Sequence, residues 1–578
     1  MIEINLDITN EEFNYAYDLV TNTDKLIYLT GKAGTGKTTF LKYLKSTTTK
    51  NIVVLAYTGV AAINAEGQTI NSFFQIDFSP YIPNDERLRT SAKPGETTIY
   101  SHFKYREEKI EIFRALELLV IDEISMVRCD LLDVIDRILR VFRKNIKPFG
   151  GVQVLLIGDH FQLPPVVNQN EREILREFYN NPFFFGSKVF EKNKFIPIEL
   201  IKNYRQNEQE FIDLLSRIRT NEVTQDDINL LNTRHNPTFV QDINGKYITI
   251  ATHHWIIRPI NISKLKELPT EEIVFVGNTT GTFLFKEREG ESEEERLKRE
   301  EREFPTDRIL KLKEGSQIMF VKNDSGENRR YFNGNIGKII KIENNEDTEI
   351  IVELPNGKQI SVEKSTWKKI KYVWNKERQR IEEEEIGTFT QYPIKLAWAI
   401  TVHKSQGLTF DKVIAVLNNA LGAGQVYVAL SRCTTFGGLV LKEEIPQGAI
   451  VVSPKVLEFE NYIRTILKPS DEELNSWKAD YYYRQTRKDL SKGYFDSAYD
   501  NLLKAICYRD DTKTEIFRRF FNIYSKQLFS FKKRYNDIQK IIVENKENKI
   551  KIQELKKENS KLSWELSEER GFDISYAF

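Results

Sequence analysis

Apolar residues in the first third of the chain occur in short runs, and each run leads into a loop of small or polar residues. Four of these runs predict buried strands, and they cover residues 25–30, 51–56, 116–121 and 152–157. Buried runs that alternate with helical segments are typical of an α/β fold built on a parallel sheet. The pattern before the first run predicts a helix that is capped at Thr9 or Asn10.

The pattern changes in the second half of the chain. Residues 309–370 alternate short apolar runs with turns, and their two Asn-Gly pairs predict tight turns in a small antiparallel barrel. Residues 471–530 predict helices rich in aromatic side chains, either as a plain helical hairpin, which we favour, or as a peptide-binding repeat of the tetratricopeptide type. Residues 538–566 follow a heptad pattern with asparagine at three seam positions, which leaves a weak coiled coil, a docked helix and a lone charged helix open.

Composition narrows the class of protein. A chain of 578 residues is too long for one core, and its net charge of +1 means that any nucleic-acid surface must be local. The three cysteines have no metal-ligand spacing, which favours a reduced protein without structural zinc. We found no signal peptide and no apolar run long enough to span a bilayer. We therefore predict a cytoplasmic protein with no membrane partner.

The most informative motif is Gly31-Lys-Ala-Gly-Thr-Gly-Lys37-Thr38, between the first predicted strand and a helix. In this context the pattern predicts a phosphate-binding loop, whose glycines let backbone N–H groups surround phosphate oxygens. Lys37 is predicted to neutralise the outer phosphates, and the Thr38 hydroxyl to complete a Mg²⁺ shell. The predicted nucleotide-binding residues of this loop are Gly31, Ala33, Gly34, Thr35, Gly36, Lys37, Thr38 and Thr39.

Two carboxylates follow the third predicted strand. Beside a phosphate loop, Asp122 can hold Mg²⁺ and Glu123 can polarise the attacking water. After the next strand, Gln162 lies where an amide can detect the γ-phosphate. These residues predict nucleotide hydrolysis with ATP and Mg²⁺ as cofactors.

Small donors and aromatic residues follow the second predicted strand. Thr58, Gly59, Ser72 and Phe73 are candidates for binding a single nucleic-acid strand, because phosphates need donors and bases need flat partners. The alternative for Phe73 and its neighbour is packing in the core, which is favoured for the two aromatics taken alone.

Together the motifs resemble those of helicase superfamily one. The segments 31–38, 58–62, 120–123 and 158–165 are similar to its successive motifs, and residues 123–154 resemble the signature of the Pif family, the 5′-to-3′ DNA helicases related to the RecD type. Later segments match in family order, namely Asn203-Tyr-Arg-Gln206, Ala397 to Gly407 and Tyr427 to Thr434. The resemblance covers roughly residues 8–450.

The resemblance implies two RecA-like parallel-sheet lobes with an inserted β-barrel and a helical C-terminal extension. The implied division is residues 1–200 for lobe 1, with an irregular insertion near 77–108, and 201–305 with 393–455 for lobe 2. It continues with 306–392 for a barrel like the Src-homology-three domain, 456–530 for a helical domain and 531–570 for the heptad helix.

The resemblance also assigns residues from the second lobe. Arg205 and Arg432 are the implied catalytic cations, and Gln406 with Gly407 lines the nucleotide cleft. Further candidates for DNA contacts are His160, Phe161, Thr401, His403 and Ser405, with a plain packed histidine as the alternative for His403. One position departs from the family, since Glu12 stands where a glutamine usually reads the adenine edge, which puts selectivity for ATP over GTP in doubt.

The sequence therefore predicts an ATP-dependent 5′-to-3′ helicase that acts on single-stranded and tailed duplex DNA, with a possible protein partner for its C-terminal helices. Two alternatives stay open. The first is a DNA-stimulated ATPase clamp that does not unwind, and the second is a phosphotransferase that acts on a small molecule.

Overall fold

The structure is a computed structural model that describes residues 7, 9–77, 79–93, 95–240, 247–283, 292, 295–296, 299–300, 303–324, 330–343, 349–375, 377–378, 380–417, 422–523 and 525–526. Contacts divide the chain into two compact units. The first consists of Met1–Tyr17 and Leu26–Ile466, and the second of Asp18–Lys25 and Leu467–Phe578.

The first lobe of the larger unit is built on a six-stranded parallel sheet in the order β3-β2-β4-β5-β1-β6. Its strands are β1 Ile27–Gly31, β2 Ile52–Ala56, β3 Gln68–Thr69, β4 Leu118–Asp122, β5 Gln153–Ile157 and β6 Ile196–Leu200. The four predicted strands are β1, β2, β4 and β5, and their interior residues are buried as the apolar runs indicated. The sequence analysis did not predict the two edge strands, β3 and β6.

Nine α-helices accompany these strands within the described residues. They are α1 Glu11–Asn22, α2 Lys37–Thr47, α3 Gly59–Asn64, α4 Ile70–Phe74, α5 Ile99–Phe103, α6 Glu107–Ala115, α7 Cys129–Phe142, α8 Gln169–Arg176 and α9 Lys188–Lys192. The Asn10 side chain accepts a hydrogen bond from the Phe13 N–H at 2.9 Å, which confirms Asn10 as the cap of α1. The last turn of α1 belongs to the second unit.

The segment 77–108, predicted to be irregular, contains α5, the start of α6 and a short 3-10 helix, Glu86–Leu88. Buried charged residues hold the start of this segment in place. Asp130 is fully buried, accepts the Tyr81 N–H at 3.0 Å and pairs with Arg128 at 2.9 Å. Arg128 also donates to the Ser79 carbonyl at 3.2 Å. This ion pair therefore anchors the insertion to helix α7.

The second lobe has a four-stranded parallel sheet in the order β18-β7-β19-β20. Its elements, which an antiparallel insertion interrupts after α12, are α10 Gln209–Thr220, α11 Gln225–Asn232, β7 Ile248–Ala251, α12 His254–Glu267, β18 Ala399–Thr401, α13 Val402–Ser405, β19 Val413–Val416, α14 Gln425–Leu430 and β20 Leu439–Leu441. Helix α15, Pro454–Thr465, follows. The predicted α/β class with two parallel-sheet lobes is confirmed.

The insertion is antiparallel, as predicted, and its strands form three sheets. Its strands are β8 Ile273–Val276, β9 Asn278–Thr279, β10 Ile309–Leu312, β11 Gln317–Phe320, β12 Ile336–Glu343, β13 Glu349–Glu353, β14 Gln359–Val362, β15 Ser365–Asn375, β16 Arg380–Gln391 and β17 Ile394–Leu396. Both Asn-Gly pairs lie in turns, where Gly334 and Gly357 adopt φ of 92° and 81°.

The long hairpin β15–β16 packs against the first lobe. The Tyr372 hydroxyl accepts the Val54 N–H at 3.1 Å, and Lys45 pairs with Glu383 at 2.8 Å. Two exposed lysines of β15 are paired across the hairpin, Lys368 with Glu385 and Lys371 with Glu384. These pairs form a solvated face of the hairpin.

The second unit is a helical hairpin of α16 Asp471–Lys492 and α17 Phe495–Tyr508. Ser470 caps α16, and Gly493 ends it with φ 80°. Ala479, Tyr482, Tyr483, Ala505 and Phe517 form its core. The helical prediction for this segment is confirmed. The predicted heptad helix lies outside the described residues, as does most of residues 287–303, a run of mixed charge in the sequence. None of the helices in the described part of the chain has both the length and the apolar character that crossing a membrane requires.

Candidate nucleotide site and nucleic-acid edge

The phosphate-binding loop lies between β1 and α2, as predicted, and its glycines adopt backbone conformations that other residues avoid. Gly34 and Gly36 have φ of 88° and 90°, and Gly36 precedes the first residue of α2. A Cβ on Gly34 would lie 2.5 Å from the Cβ of Arg205, so this position also needs glycine for space. The predicted loop residues Gly31 to Thr39 thus form one continuous loop and the first turn of α2.

Lys37 folds back over this loop. Its Nζ donates to the carbonyls of Gly31 at 2.6 Å and Lys32 at 3.0 Å. Burial lowers the pKa of Lys37, and the charges of Asp159 and Glu123 oppose that effect. The ammonium contacts only neutral oxygens, so it can accept an anion without first breaking an ion pair.

The two predicted carboxylates lie at the end of β4. Asp122 accepts the Glu123 N–H at 2.9 Å, and Glu123 has a left-handed φ of 51° that turns the chain out of the strand. Burial, followed by the charge of Glu123, raises the pKa of Asp122 to about 7. Burial also raises the pKa of Glu123. Both carboxyls are therefore poised to gain from a nearby cation.

Two amides connect Glu123 to the second lobe. Gln406 Nε2 donates to Glu123 Oε2 at 2.8 Å and lies 3.2 Å from Gln162 Oε1. Gln162 is 8% exposed, so its side chain is held rather than free. The structure brings these three predicted residues together at the junction of the lobes.

Arg205 and Arg432 bring two more cations to this junction. Arg205 donates to the carbonyls of Ser431 at 3.1 Å and Gly407 at 3.3 Å. Arg432 is 1% exposed, and its donors reach the oxygens of Val428, Ser431, Ser405 and Leu408 within the second lobe. Burial lowers the pKa of Arg432 to about 10, with Tyr427 and Glu123 opposing. Contact between Arg432 and a terminal phosphate stays a prediction.

Divalent metal would have hard oxygen ligands here. Thr38 is exposed at the start of α2, and Asp122 ends β4, which is separated from β1 by one strand, β5, in the same sheet. No group of three or more His, Cys, Asp or Glu that could hold a metal ion occurs among the described residues. The donor set fits Mg²⁺ that is bound mainly through nucleotide phosphates.

Sequence reasoning missed three residues that lie next to this site. Asp159 is fully buried and accepts from Arg219 at 3.0 Å, and the Tyr427 hydroxyl lies 3.5 Å from it. Tyr427 and Asp159 lie within two of the motif-like segments, 427–434 and 158–165, but the motifs alone gave neither residue a role. Arg219 lies on α10, outside every such segment, so no motif signal pointed to it.

Five of the predicted DNA contacts have buried side chains in this structure, so contact with DNA at these positions stays a prediction. Phe73 is fully buried against Phe74 and Phe113, which is the alternative that the sequence left open. His160 is 2% exposed, with its ring nitrogens 2.9 Å from the Tyr28 hydroxyl and 2.8 Å from the Glu460 carboxylate. Phe161 is 3% exposed beneath the Arg219 guanidinium.

Thr401 and Ser405 are the other two buried positions. Thr401 caps α13 by accepting the Lys404 N–H, and the Ser405 hydroxyl donates to the Val402 carbonyl. Their polar atoms serve the backbone rather than a ligand. Of the remaining candidates, Ser72 and His403 are exposed, and Thr58 and Gly59 are half-buried at the start of α3.

Glu12, which stands where the family usually has a glutamine, is half-buried in the first turn of α1. Asn10, just before that turn, donates to the Tyr204 hydroxyl at 3.1 Å. The N-terminal motif is therefore tied to the turn that carries Arg205.

The chain is similar to known proteins along most of its length. A family model described as "PIF1-like helicase" matches residues 9–229. The chain is 30% identical over 442 residues to "ATP-dependent DNA helicase PIF1" of Danio rerio, covering 76% of this chain and 62% of that protein. It is 30% identical over 445 residues to "ATP-dependent DNA helicase Pif1" of Bdellovibrio bacteriovorus, covering 77% of this chain and 90% of that protein.

Solved structures of Pif1 from Bacteroides sp. are also similar. The complex with ADP-AlF4 is 40% identical with a TM-score of 0.69, and the complex with single-stranded DNA is 41% identical with a TM-score of 0.53. Both comparisons cover 79% of this chain and 97% of the solved chain. The unliganded protein matches as well as the ADP-AlF4 complex, with 40% identity and a TM-score of 0.68, so the present arrangement is more similar to these two DNA-free structures than to the DNA complex.

Proposed function

The chain belongs to the PIF1-like helicase family, and from this premise we propose that it is an ATP-driven helicase that moves 5′-to-3′ on single-stranded DNA and unwinds duplex. The observation that carries the proposal is the set of three cations around the phosphate loop. Lys37, Arg205 and Arg432 come from both lobes, and their contacts are to neutral oxygens. The phosphates of a bound triphosphate would supply the negative charge that these three cations lack as a partner.

Each residue at the site then has a role that its position supports. Lys37 binds the outer phosphates, while Arg205 and Arg432 stabilise the charge that develops as the terminal phosphoryl group leaves. Glu123, whose pKa is raised by burial, accepts the proton of the attacking water. Thr38 and Asp122 would hold Mg²⁺, which supplies further positive charge to the phosphates.

Coupling to movement follows from the division of the site between two bodies. Glu123 and Gln162 belong to the first lobe, and Gln406 and both arginines follow the last strand of that lobe. Because the cations act only when the lobes meet around the nucleotide, ATP binding favours closure and hydrolysis favours opening. A strand held along both lobes is moved by that cycle.

Strand displacement tests the function and its polarity. We expect the protein to displace a strand from a duplex with a 5′ single-stranded tail and to leave the matched 3′-tailed duplex intact, in the presence of ATP and Mg²⁺. DNA-stimulated hydrolysis without displacement would favour the clamp, and hydrolysis indifferent to DNA would favour the small-molecule phosphotransferase. Preference for the 3′-tailed duplex would contradict the polarity alone.

The proposed DNA path crosses the edge of the second lobe where β7 and β18 end. These strands are parallel neighbours with Ala251 opposite Thr401, so the residues that follow them lie at the same edge. Two stretches around this edge, 251–266 and 386–410, contain no Asp or Glu. An edge without carboxylates suits a phosphate backbone.

Trp255, just after β7, is the proposed base-stacking residue at this edge. It is 65% exposed, and its ring centroid lies 6.0 Å from that of His253. By contrast, Trp367 and Trp398 are 4% and 7% exposed, with their rings in the protein interior. An exposed indole beside segments that lack carboxylates is the kind of surface on which single-stranded bases stack.

We expect Trp255→Ala to weaken binding of a labelled oligothymidylate about tenfold, while Trp255→Phe keeps most of the affinity, because stacking needs an aromatic face. Fluorescence anisotropy measures both affinities. Quenching of tryptophan fluorescence by DNA should shrink in Trp255→Phe, since Trp255 is the most exposed tryptophan of the described part. Tyr462→Ala, which removes an exposed aromatic from α15, is the control. Equal affinity of Trp255→Ala and the wild type would exclude Trp255 from the path.

A further inference from the structure

The side chain of Tyr427, in the second lobe, reaches the backbone of the phosphate loop. It lies on α14 and is 4% exposed. Its hydroxyl accepts the Ala33 N–H at 3.1 Å and lies 3.5 Å from Asp159 Oδ2. Both partners belong to the first lobe, so this single oxygen joins the two lobes at the nucleotide site.

The direction of these hydrogen bonds follows from the chemistry of the groups. Asp159 is fully buried and receives the Arg219 guanidinium at 3.0 Å, so it is a carboxylate that can only accept. The phenolic proton therefore points to Asp159, and a lone pair is left for the Ala33 N–H. A hydroxyl can serve both partners at once, whereas a bare ring can serve neither.

Further hydrogen bonds lead from this contact across the nucleotide site. The Gln162 amide nitrogen lies 3.3 Å from Asp159, its oxygen accepts from Gln406 at 3.2 Å, and Gln406 donates to Glu123 at 2.8 Å. Hydrogen bonds thus run from the phosphate loop to the catalytic carboxylate and pass between the lobes four times. Tyr427 is the member of this path nearest the loop.

We propose that Tyr427 is a positioning residue through which the second lobe holds the phosphate loop in its nucleotide-binding conformation. This inference rests on the proposed function only in that the loop binds ATP. Nucleotide affinity then depends on the approach of the lobes, because the loop keeps its shape only while α14 is seated against it. The hydroxyl contacts the Ala33 backbone and the Asp159 carboxylate and not the reacting atoms, so it acts on binding rather than on chemistry.

The test is Tyr427→Phe, which keeps the buried ring and removes the hydroxyl. The Ala33 N–H then loses its partner in a buried place, and the loop must shift to satisfy it. We expect the KM for ATP to rise about tenfold with kcat within about twofold, the pattern of lost ground-state binding. The Kd of a fluorescent ADP analogue, measured without DNA, should rise by a similar factor.

Tyr28→Phe is the matched control. Tyr28 is fully buried on β1, and its hydroxyl lies 2.9 Å from His160 Nδ1, so the same atom is lost from an equally buried ring outside the phosphate loop. This control should leave the KM for ATP and the Kd for ADP within about twofold of wild type, with thermal melts confirming that both variants fold.

Three outcomes would overturn the inference. They are an unchanged KM and Kd in Tyr427→Phe, an equal rise in Tyr28→Phe, and a fall in kcat at constant KM. All of these measurements are made on the full chain without DNA. A wild-type protein that binds ADP but fails to unwind DNA would contradict the proposed helicase function and leave this inference standing.

Discussion

Replacing Lys37 by alanine is expected to abolish ATP hydrolysis and, with it, strand separation. The Lys37 ammonium is held over the phosphate loop by the carbonyls of Gly31 and Lys32, whereas the ammonium of the neighbouring Lys32 donates to the Ser216 hydroxyl. Loss of a charge aimed at the transferring group costs on the order of 10³-fold in rate. Hydrolysis is measured by phosphate release with DNA present, and unwinding by displacement of a labelled strand.

Lys42→Ala is the control for this variant. Lys42 lies on the same helix, α2, and is exposed, so its loss removes an equal charge without touching the loop. It should keep hydrolysis within about twofold of wild type. Unwinding by Lys37→Ala with ATP bound would refute the role assigned to Lys37, whatever the control does.

The second large effect is expected for Arg205→Ala. Arg205 lies beside Gly34 of the phosphate loop and contacts the carbonyls of Ser431 and Gly407 in the second lobe. If it stabilises the transition state, its loss lowers kcat by about 10³-fold while nucleotide still binds. Arg205→Lys should recover little of this, because an ammonium lacks the planar fork of donors. Single-turnover hydrolysis and ADP binding separate the two effects.

Arg234→Ala is the matched control, since Arg234 also donates to backbone carbonyls, those of Leu439 at 2.7 Å and Gly437 at 2.6 Å. It should hydrolyse ATP within about twofold of wild type. Arg205 is the better test of the two catalytic arginines, because Arg432 is 1% exposed and its replacement would also disturb the core of the second lobe. An Arg205→Ala variant with normal kcat would leave closure of the lobes without its proposed chemical consequence.

The fold was largely accessible from local sequence. The strand β1, the glycines of the phosphate loop and helix α2 follow one another within 21 residues, Ile27 to Thr47, and the conformation of each is set by its own residues. Asp122 and Glu123 were found in the same way, at the end of an apolar run. The second lobe was harder, because its assignment came from resemblance rather than from periodicity.

The nucleic-acid side of the site shows where local reasoning stops. Phe73, His160 and Phe161 were placed on the DNA path, and each is buried by a residue distant in the chain. His160, for example, lies between Tyr28 and Glu460, 132 and 300 residues away. Trp255 was passed over because an aromatic residue at the start of a helix looks the same in sequence whether it faces a core or solvent.

By itself, the sequence determined the local conformations, namely the apolar strands, the loop that only glycine can form and the carboxylates at a strand end. These depend on steric limits and on residues close together in the chain. Only the tertiary structure decided which side chains stay exposed, which lysines are paired across a hairpin and that the Tyr427 hydroxyl lies on the phosphate loop. Burial and the contact of Tyr427 depend on residues up to hundreds of positions apart, and pairing across the hairpin depends on the register of its two strands, so no local pattern encodes them.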